Sequence, residues 1–541
     1  MNSKKKSSST FRSALTAIAL CSLASHPYAQ SAPAADAPLL EVKRFVIEGD
    51  NPLSAQETDA ILARHLGPHK SLTTLEAAAS ALEQVLRDKG HAFHRVIVPA
   101  QRPVAGELKL QIVSFVLNEA TVAGNEHFST ENILRSLPAL EVGKSPDLKA
   151  LSSQLGLANE HPSKRLSINI KESARRDALD AEVRVRDGKI LQPFASLTGH
   201  TRDFDNTINR NTGYTRLTLG LQHANLFDRD HVATLAYTTS PEHVSDVTQY
   251  GVFYWLPFYG YNTSLNAYYT KSDINTGTVG LGGQSFDVSG KGEFWGIRAT
   301  YALPRVGEIS HHVSVALDDR YFESTLGTVG LIQTVPVGSR PISLRYTARQ
   351  ERPQSTVGGY VEYAINTGGG RASSDLEYAT SSLRTGENPG PNWEAWRWGL
   401  EGHVGIAANW FFIGRFRGQY ADEPLIPGEQ FGIGGSASVR GLRERETAGD
   451  RGYFVNLELQ APNIGGGVLP FMFYDHGYRR HVSPVPGLPV KDSASSIGAG
   501  IRWNWQKKLD VSVTYANVVN GVAAGTPNGH DQLLFSAFYR F

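Results

Sequence analysis

From about residue 190 to its end, the chain alternates between apolar and polar positions in short segments that polar loops separate. Tyr250, Val252, Tyr254 and Leu256 occupy every second position of one such segment. Successive side chains of a strand point to opposite faces, so this spacing predicts strands with one apolar face. The same alternation occurs, with one slip in the first set, at Tyr214, Leu217, Leu219 and Leu221, and again at Val511, Val513 and Tyr515.

Sixteen strands of this kind can be placed in residues 190–541. They start near Ile190, Tyr214, His231, Thr248, Asn262, Glu293, His311, Pro341, Thr356, Trp393, Asn409, Gly452, Leu469, Ser496, Asp510 and Asp531. About 22 residues per strand leave room for ~9–11 residues across a bilayer plus a loop. Because lipid offers no partner to an open sheet edge, the strands must close. The sequence predicts a transmembrane antiparallel β-barrel of about 16 strands; a large soluble β-sandwich assembly is the alternative.

The last predicted strand, residues 531–541, carries an aromatic-rich face. Leu533, Phe535, Ala537, Tyr539 and Phe541 share one parity. This segment resembles the closing strand of a bacterial outer-membrane barrel, which ends on an aromatic residue. The resemblance implies that Tyr539 and Phe541 form a membrane-targeting C-terminus. It also implies two partners, the outer-membrane lipid and the barrel assembly machinery during biogenesis.

Residues 1–29 predict a secretory signal peptide. Lys4, Lys5, Lys6 and Arg12 form a basic region, an apolar stretch follows, and Ala29 supplies a small residue at the cleavage point. We expect a short linker at 30–39. Without the four basic residues, 49 basic and 52 acidic residues remain, a net charge of −3, which indicates no nucleic-acid partner. The chain's one cysteine, Cys21, leaves with the signal peptide and so permits no disulfide.

Residues 40–115 predict a strand, two helices and two strands. The first strand runs from Leu40 to Ile47, and Ser54 and Glu57 form a capping box for a helix. A second capping box is expected at 73–76, ahead of a helix that Gly90 ends. Two strands follow, at 93–98 and 108–112.

The same order repeats in residues 116–189. Ser129 caps one helix, and Pro146 is placed at the first position of the next. Strands are predicted at 166–170 and 179–186. Two units of roughly 75 residues with one internal order indicate a tandem array.

Four segments of the first unit carry a resemblance to a known domain. They are Phe45-Val-Ile-Glu-Gly49, Gly90-His-Ala-Phe93, Val98-Pro-Ala-Gln101 and Gly106-Glu-Leu-Lys-Leu110. These resemble a polypeptide-transport-associated (POTRA) domain of the kind that precedes an outer-membrane haemolysin or adhesin exporter. In the second unit, Lys171-Glu-Ser-Ala-Arg-Arg176 replaces the usual Pro-Gly turn, which puts the loop geometry in doubt but not the strand pairing.

A long loop at 421–451 and a later strand carry the second resemblance. The loop holds Val439, Arg440, Gly441 and Leu442, and the strand contains Phe473-Tyr-Asp-His-Gly477. These resemble the Val-Arg-Gly-(Tyr/Phe) loop tip and the Phe-x-Asp-x-Gly strand of two-partner-secretion transporters, the TpsB family of haemolysin and adhesin secretion proteins (ShlB/FhaC/HecB-like). Leu442 departs from the family's usual aromatic residue, so looser packing at the tip is expected.

The strand motif fixes which way its carboxylate points. Phe473, Asp475 and Gly477 share one parity, whereas Met472 and Tyr474 take the other, which suits lipid. Asp475 is therefore expected to face the lumen. The resemblance implies that the loop re-enters the pore and that Arg440 pairs with Asp475, since the planar guanidinium can hold a carboxylate with two hydrogen bonds. The alternative is a surface-loop arginine and an unrelated wall carboxylate.

The resemblance implies an exporter that binds a large unfolded exoprotein in the periplasm through its POTRA domains and threads it through the barrel to the cell surface. The exoprotein would be an adhesin, a haemolysin or a contact toxin. With only ten residues in the linker, we expect the re-entrant loop alone to gate the pore. No cofactor, metal site or catalytic residue is predicted, since phosphate-loop, nucleophile-elbow and zinc-protease motifs are absent.

Two other functions share parts of this pattern. A factor that assembles and inserts outer-membrane proteins has the same architecture and the same arginine loop, but typically more front domains. A passive diffusion porin would not need front domains at all.

Overall fold

The computed structural model describes residues 40–69, 71–201, 213–273, 278–281, 284–287, 291–328 and 331–541. The predicted signal peptide, 1–29, and the linker, 30–39, lie outside the described residues. None of the described helices is long and apolar enough to cross a bilayer.

The first N-terminal domain packs two helices on a small sheet. Its elements are β1 Leu40–Val42, β2 Arg44–Gly49, α1 Ala55–Leu62, β3 Gly67–His69, α2 Leu72–Asp88, β4 His94–Ile97 and β5 Glu107–Ser114. The sheet order is β2-β5-β4, with β2 parallel and β4 antiparallel to β5. The apolar face of α2, including Leu75, Leu82 and Leu86, is buried in the core.

Two details of this domain differ from the sequence prediction. The expected single strand at 40–47 is two strands, because β1 pairs with β3 instead of continuing β2. The capping box at Ser54 is present, but the one expected at 73–76 is not: α2 begins earlier, after Ser71. The Thr74 hydroxyl donates to Ser71 O at 2.7 Å. It therefore bonds the chain before the helix instead of capping a later start.

The second domain repeats this topology. Its elements are β6 Val116–Ala123, α3 Thr130–Arg135, α4 Leu148–Ala158, β7 Lys164–Glu172 and β8 Ala178–Asp187. The sheet order is β6-β8-β7, with β6 parallel and β7 antiparallel to β8. Pro146 is not the first helical residue, since Asp147 caps α4 by accepting from the N–H groups of Lys149 and Ala150.

The remaining strands build a barrel and two small hairpins. In chain order they are β9 Leu191–His200, β10 Thr215–Leu226, β11 His231–Thr239, β12 Gln249–Phe258, β13 Thr263–Ser272, β14 Thr278–Leu281, β15 Gln284–Asp287, β16 Gly292–Ala302, β17 Ile309–Thr328, β18 Leu331–Ser339, β19 Pro341–Arg352, β20 Ser355–Asn366, β21 Glu394–Ala407, β22 Trp410–Tyr420, β23 Phe431–Ile433, β24 Thr447–Gly449, β25 Arg451–Gln460, β26 Val468–Arg480, β27 Lys491–Trp505, β28 Leu509–Asn520 and β29 Asp531–Arg540. Among the described strands after residue 190, β14 pairs with β15 and β23 pairs with β24 outside the barrel sheet.

Within the described residues the barrel closes with sixteen antiparallel strands, as predicted. β29 pairs with β9 to complete the cylinder. β18 and β19 count as one strand, because both pair with the twenty-residue β17 and only Arg340 separates them. This eighth strand therefore begins at Leu331, before the expected start near Pro341. The fourteenth begins at Lys491, before the expected Ser496.

The two faces of the barrel strands follow the predicted alternation. On β11, Leu235 is 52% exposed, whereas the neighbouring Thr234 is 1% exposed. On β26, Met472 and Tyr474 face outward, whereas Phe473 and Asp475 are buried in the lumen.

The end of the barrel at which β9 begins and β29 ends adjoins the second domain, and we call it the near end. The opposite end, the far end, carries the longer connections. One of these, residues 367–393, contains helix α5 Asp375–Thr380. Another, residues 421–450, turns back into the lumen.

Candidate functional site

The re-entrant loop, residues 421–450, leaves β22 at the far end and enters the barrel as a narrow hairpin. A 3-10 turn at Pro427–Glu429 precedes β23, and β23 pairs with β24 on the return leg. The loop therefore has its own backbone ladder, and its tip, residues 434–446, is held between two paired legs.

Arg440 and Asp475 meet inside the lumen. Arg440 Nε donates to Asp475 Oδ2 at 2.7 Å, and Nη2 donates to Oδ1 at 2.7 Å. The backbone N–H of Arg440 also donates to Oδ2, at 3.1 Å. Asp475 is fully buried and the Arg440 side chain is 9% exposed. The guanidinium therefore binds the carboxylate with two parallel hydrogen bonds in a site nearly free of bulk water.

Two wall residues that the sequence analysis did not single out complete this contact. Arg440 Nη1 donates to Glu458 Oε1 at 2.8 Å, and Asn456 Nδ2 donates to Asp475 Oδ1 at 2.8 Å. The Arg440 guanidinium carbon also lies 3.5 Å from the centre of the Phe473 ring, in a cation–π contact. The alternation along β25 places Asn456 and Glu458 on its lumen face, and this signal could have identified them.

The two motif glycines create the close approach of loop and wall. Gly441 has φ +92°, a backbone conformation that favours glycine. A Cβ on Gly477 would lie 2.6 Å from Ile433 Cγ2 and 3.1 Å from Val439 Cγ2, both on the loop. Any side chain at position 477 would therefore push the loop off β26.

The other two tip residues, Val439 and Leu442, form an apolar contact with the wall. Leu442 is 1% exposed and Val439 is fully buried. Both belong to a cluster with Ile433 of the loop and Ala494 and Val518 of the wall. The looser packing expected from Leu442 is thus not observed.

A second contact ties the outer part of the loop to another part of the wall. Glu429 is 3% exposed and accepts hydrogen bonds from Arg320 Nη1 at 2.9 Å, Arg397 Nη2 at 2.8 Å and Ser339 Oγ at 2.7 Å. Arg320 lies on β17 and Arg397 on β21, away from the β26 carboxylate that binds the tip. The loop is therefore fixed both at its tip and near its root.

Beside the loop lies a cavity with a volume of about 870 Å³. It follows the wall from β10 to β22 and reaches Glu160 and Pro162 of the second domain at the near end. Its wall arginines are paired in part, since Arg345 donates to Glu362 at 2.7 Å and Arg320 to Asp318 at 2.7 Å. The lining arginines are Arg298, Arg320, Arg345, Arg397, Arg417 and Arg445. The loop thus packs against one side of the lumen and leaves this cavity along the other.

The second domain is joined to the near end through buried polar groups. His161 Nε2 donates to Ala224 O of β10 at 2.6 Å, and its ring lies between those of Phe128 and Trp255. Burial lowers the pKa of His161 to about 4 and also lowers the pKa of Lys164, which Asp230 partly opposes. The domain therefore holds a fixed position against the barrel opening.

The C-terminal aromatic residues lie at the near-end rim. Tyr539 pairs with Ala195 on β9 and with Leu509 on β28, so it takes part in barrel closure. Phe541 is 58% exposed, and its N–H donates to Pro193 O at 3.1 Å. The rings of Tyr539 and Phe541 meet edge to face at 4.7 Å.

Comparison with known proteins agrees with this architecture. The family model "Haemolysin secretion/activation protein ShlB/FhaC/HecB" matches residues 195–502, and the ShlB-type POTRA model matches residues 40–114. The outer membrane transporter CdiB of Dickeya dadantii is 22% identical over 445 residues, covering 76% of this chain and 72% of the relative.

Two solved structures share the fold. CdiB from Escherichia coli superposes with a TM-score of 0.73 at 16% identity, covering 95% of this chain and 92% of that one. CdiB from Acinetobacter baumannii gives 0.66 at 18% identity, covering 94% and 91%. Together with the matched family model, the closed barrel and the front domains show that the chain belongs to the haemolysin secretion/activation protein family, two-partner-secretion transporters of the outer membrane whose POTRA domains lie in the periplasm.

Proposed function

We propose that this protein binds a large unfolded exoprotein in the periplasm and translocates it through the barrel to the cell surface. The near end then faces the periplasm and the far end the exterior. The observation that carries the proposal is the cavity of about 870 Å³ that lies between the re-entrant loop and one wall of the lumen and is lined at the near end by Glu160 and Pro162 of the second POTRA domain. The re-entrant loop occupies the other side, so movement of this loop would widen the route.

Capture of the client is proposed to use the POTRA sheets. The edge strands, β2 and β4 in the first domain and β6 and β7 in the second, can each accept an added strand. An extended polypeptide gains main-chain hydrogen bonds in this way, and pockets for alternate side chains give specificity. An unfolded client has the free backbone groups that this mode needs, whereas a folded one does not.

In this mechanism the Arg440–Asp475 contact positions the loop and does not hold the barrel together. Loss of one partner of a buried ion pair costs about 3–5 kcal/mol, which is small beside the hydrogen-bond ladder of sixteen strands. Arg440→Ala should therefore leave an inserted barrel that shifts its mobility on heating, but it should abolish export. Arg451→Ala is a matched control, because Arg451 pairs at the rim with Asp422, which is 77% exposed.

Deletion of the gene separates this function from assembly of other outer-membrane proteins. If the chain is an exporter, the secreted fraction loses one large protein and the outer-membrane proteins keep their amounts. Depletion of many outer-membrane proteins would instead support the assembly factor. Normal export by Arg440→Ala would show that the loop contact has no part in transport.

A further inference from the structure

The connection between β20 and β21, residues 367–393, crosses the far end of the barrel, and we call it the strap. At one side, Gly338 N–H of β18 donates to Ala372 O of the strap at 2.8 Å. At the other, Thr385 N–H donates to Pro484 O at 3.1 Å, in the connection between β26 and β27. Five barrel strands separate these two attachment points, so the strap spans the opening above the root of the re-entrant loop.

The strap packs its large side chains inward. Tyr378 and Trp393 are completely buried and belong to one apolar cluster with Leu425 and Ile426, which lie on the inbound leg of the re-entrant loop. Asn366 Nδ2 at the end of β20 donates to Tyr378 Oη at 2.8 Å. These contacts hold the strap against the re-entrant loop, over the barrel opening.

Arg384 is the strap residue that reaches both legs of the re-entrant loop. It donates from Nη1 and Nη2 to the Asp450 carboxylate at 2.9 and 2.7 Å, from Nη2 to Leu425 O at 3.1 Å and from Nη1 to Ser483 O at 3.0 Å. Both side chains of the Arg384–Asp450 pair have no exposed area. One guanidinium thus connects the strap, the two legs of the loop and the next far-end connection.

Asp450 gathers the same segments from the other direction. Its carboxylate accepts from Leu425 N–H at 2.8 Å, from Val482 N–H at 2.7 Å and from Gln430 Nε2 at 3.3 Å. Truncating either partner would leave the other charge buried without compensation, and the loop root could no longer be held in one place.

We propose that the strap is a far-end latch on the re-entrant loop and that Arg384 is its positioning residue. While Arg384 binds Asp450 and Leu425 O, the root of the loop cannot leave the lumen. When Arg384 and Asp450 separate, the strap and the loop are both free to move away from the opening. The inference rests on the proposed export function and adds a second element to the gate. A charged pair suits a latch that must open, because both groups regain hydration when exposed, whereas exposed apolar residues would not.

The purified protein in planar lipid bilayers, without any client, tests the latch directly. Arg384→Gln keeps a side chain of similar length but loses the charge, and Asp450→Asn is isosteric. We expect each to raise the time spent in conducting states at least about tenfold, since tenfold corresponds to about 1.4 kcal/mol and a halved buried pair exceeds that. Arg371→Gln is the matched control on the same strap, because the Arg371 side chain is 59% exposed.

Folding is checked by heat-modifiable mobility in each variant, and Asp450→Asn carries the test if Arg384→Gln does not fold. Arg384→Lys should give an intermediate conductance, because an ammonium retains the charge but lacks the planar fork. Folded Arg384→Gln and Asp450→Asn channels that conduct like the wild type would overturn the latch. Failure of the export proposal is seen separately, as an unchanged secreted fraction after gene deletion, and does not depend on conductance.

Discussion

Lys164 of the second N-terminal domain donates a hydrogen bond from Nζ to Asp230 Oδ2 at 2.5 Å, and both residues are 1% exposed. Asp230 belongs to the periplasmic turn between β10 and β11, and Tyr259 of the next turn also donates to it, at 2.6 Å. The lysine makes two further hydrogen bonds, to Asn132 Oδ1 and Ser136 Oγ, within its own domain. A charged group of the domain is thus neutralised by the barrel, which makes docking of the two parts specific.

Replacing this lysine should release the domain. Lys164→Met keeps the aliphatic length but leaves the Asp230 carboxylate buried without its cation, a loss of about 3–5 kcal/mol. We expect trypsin to cleave between the second domain and the barrel at least several times faster, with barrel melting unchanged. Lys171→Met on the same strand, at an exposed position, is the control. Equal cleavage rates for the two variants would show that Lys164 does not fix the joint.

The same joint should weaken in acid because of His161. Burial lowers the pKa of this imidazole from 6.5 to about 4, while Asp230 opposes and Lys164 and Arg165 reinforce the shift. The neutral form is favoured in the docked state, so its stabilisation is fully present above pH 6.5 and declines as the pH falls towards 4, by about 3 kcal/mol in all. Fluorescence of Trp255, which contacts the ring, should report undocking in this range. A His161→Gln variant should lose the transition, and its persistence there would assign it to another group.

An alanine at Gly477 should displace the loop tip. Its Cβ would lie 2.6 Å from Ile433 Cγ2, and overpacking of this kind costs about 1–3 kcal/mol. We expect Gly477→Ala to raise channel conductance and reduce export, since Arg440 can then no longer reach Asp475 with both hydrogen bonds. Gly414→Ala on β22 is the control, because its Cβ would meet its nearest neighbour, in Phe412, at an ordinary 3.5 Å. If both variants export normally, close contact at position 477 is not needed.

Glu429 should act as a second anchor of the re-entrant loop. Glu429→Gln removes the charge that Arg320 and Arg397 share, and it leaves Asp318 as the remaining carboxylate partner of Arg320 and Glu362 as that of Arg397, a cost of up to about 3–5 kcal/mol. We expect a lower unfolding midpoint for the loop, measured by protease cleavage within residues 421–450, and higher conductance. Glu423→Gln, at an exposed position of the same loop, should change neither the cleavage nor the conductance. Wild-type behaviour of Glu429→Gln would show that Glu429 does not anchor the loop.

The strand count could be predicted because lipid imposes alternation on every segment that crosses it. The predicted starts of strands are wrong where that constraint does not act. Residues 491–495 extend β27 beyond its apolar part, as far as the pairing of Lys491 with Arg480, so no periodicity marks them. The sequence does not mark β18 as part of the eighth strand, because Pro336 and the break at Arg340 interrupt the alternation of apolar and polar positions. In the second domain, α4 begins after Asp147 and not at Pro146, because the Asp147 carboxylate accepts hydrogen bonds from two free N–H groups of the first helical turn.

The residues of the site also fall into two groups, those that the sequence predicts and those that only the structure shows. The meeting of Arg440 with Asp475 follows from short motifs and strand parity, both visible in the sequence. Arg384, Glu429 and Lys164 lie outside any periodic pattern of the barrel. The partners of their side chains are between 28 and 109 positions away, in hydrogen bonds that only the folded chain brings together. Side chains of this kind cannot be identified from spacing, because their contacts depend on how connections pack over the barrel ends.

The length of β17 has a consequence for the surface of the living cell. Twenty residues at ~3.4 Å each and a tilt of ~40° rise about 50 Å, well beyond the ~30 Å hydrocarbon layer. The outer part of the β17–β18 ladder therefore extends beyond the hydrocarbon layer at the far end of the barrel. An antigenic tag placed there would be accessible to antibody on intact bacteria if the far end faces the exterior, and inaccessible if it faces the periplasm.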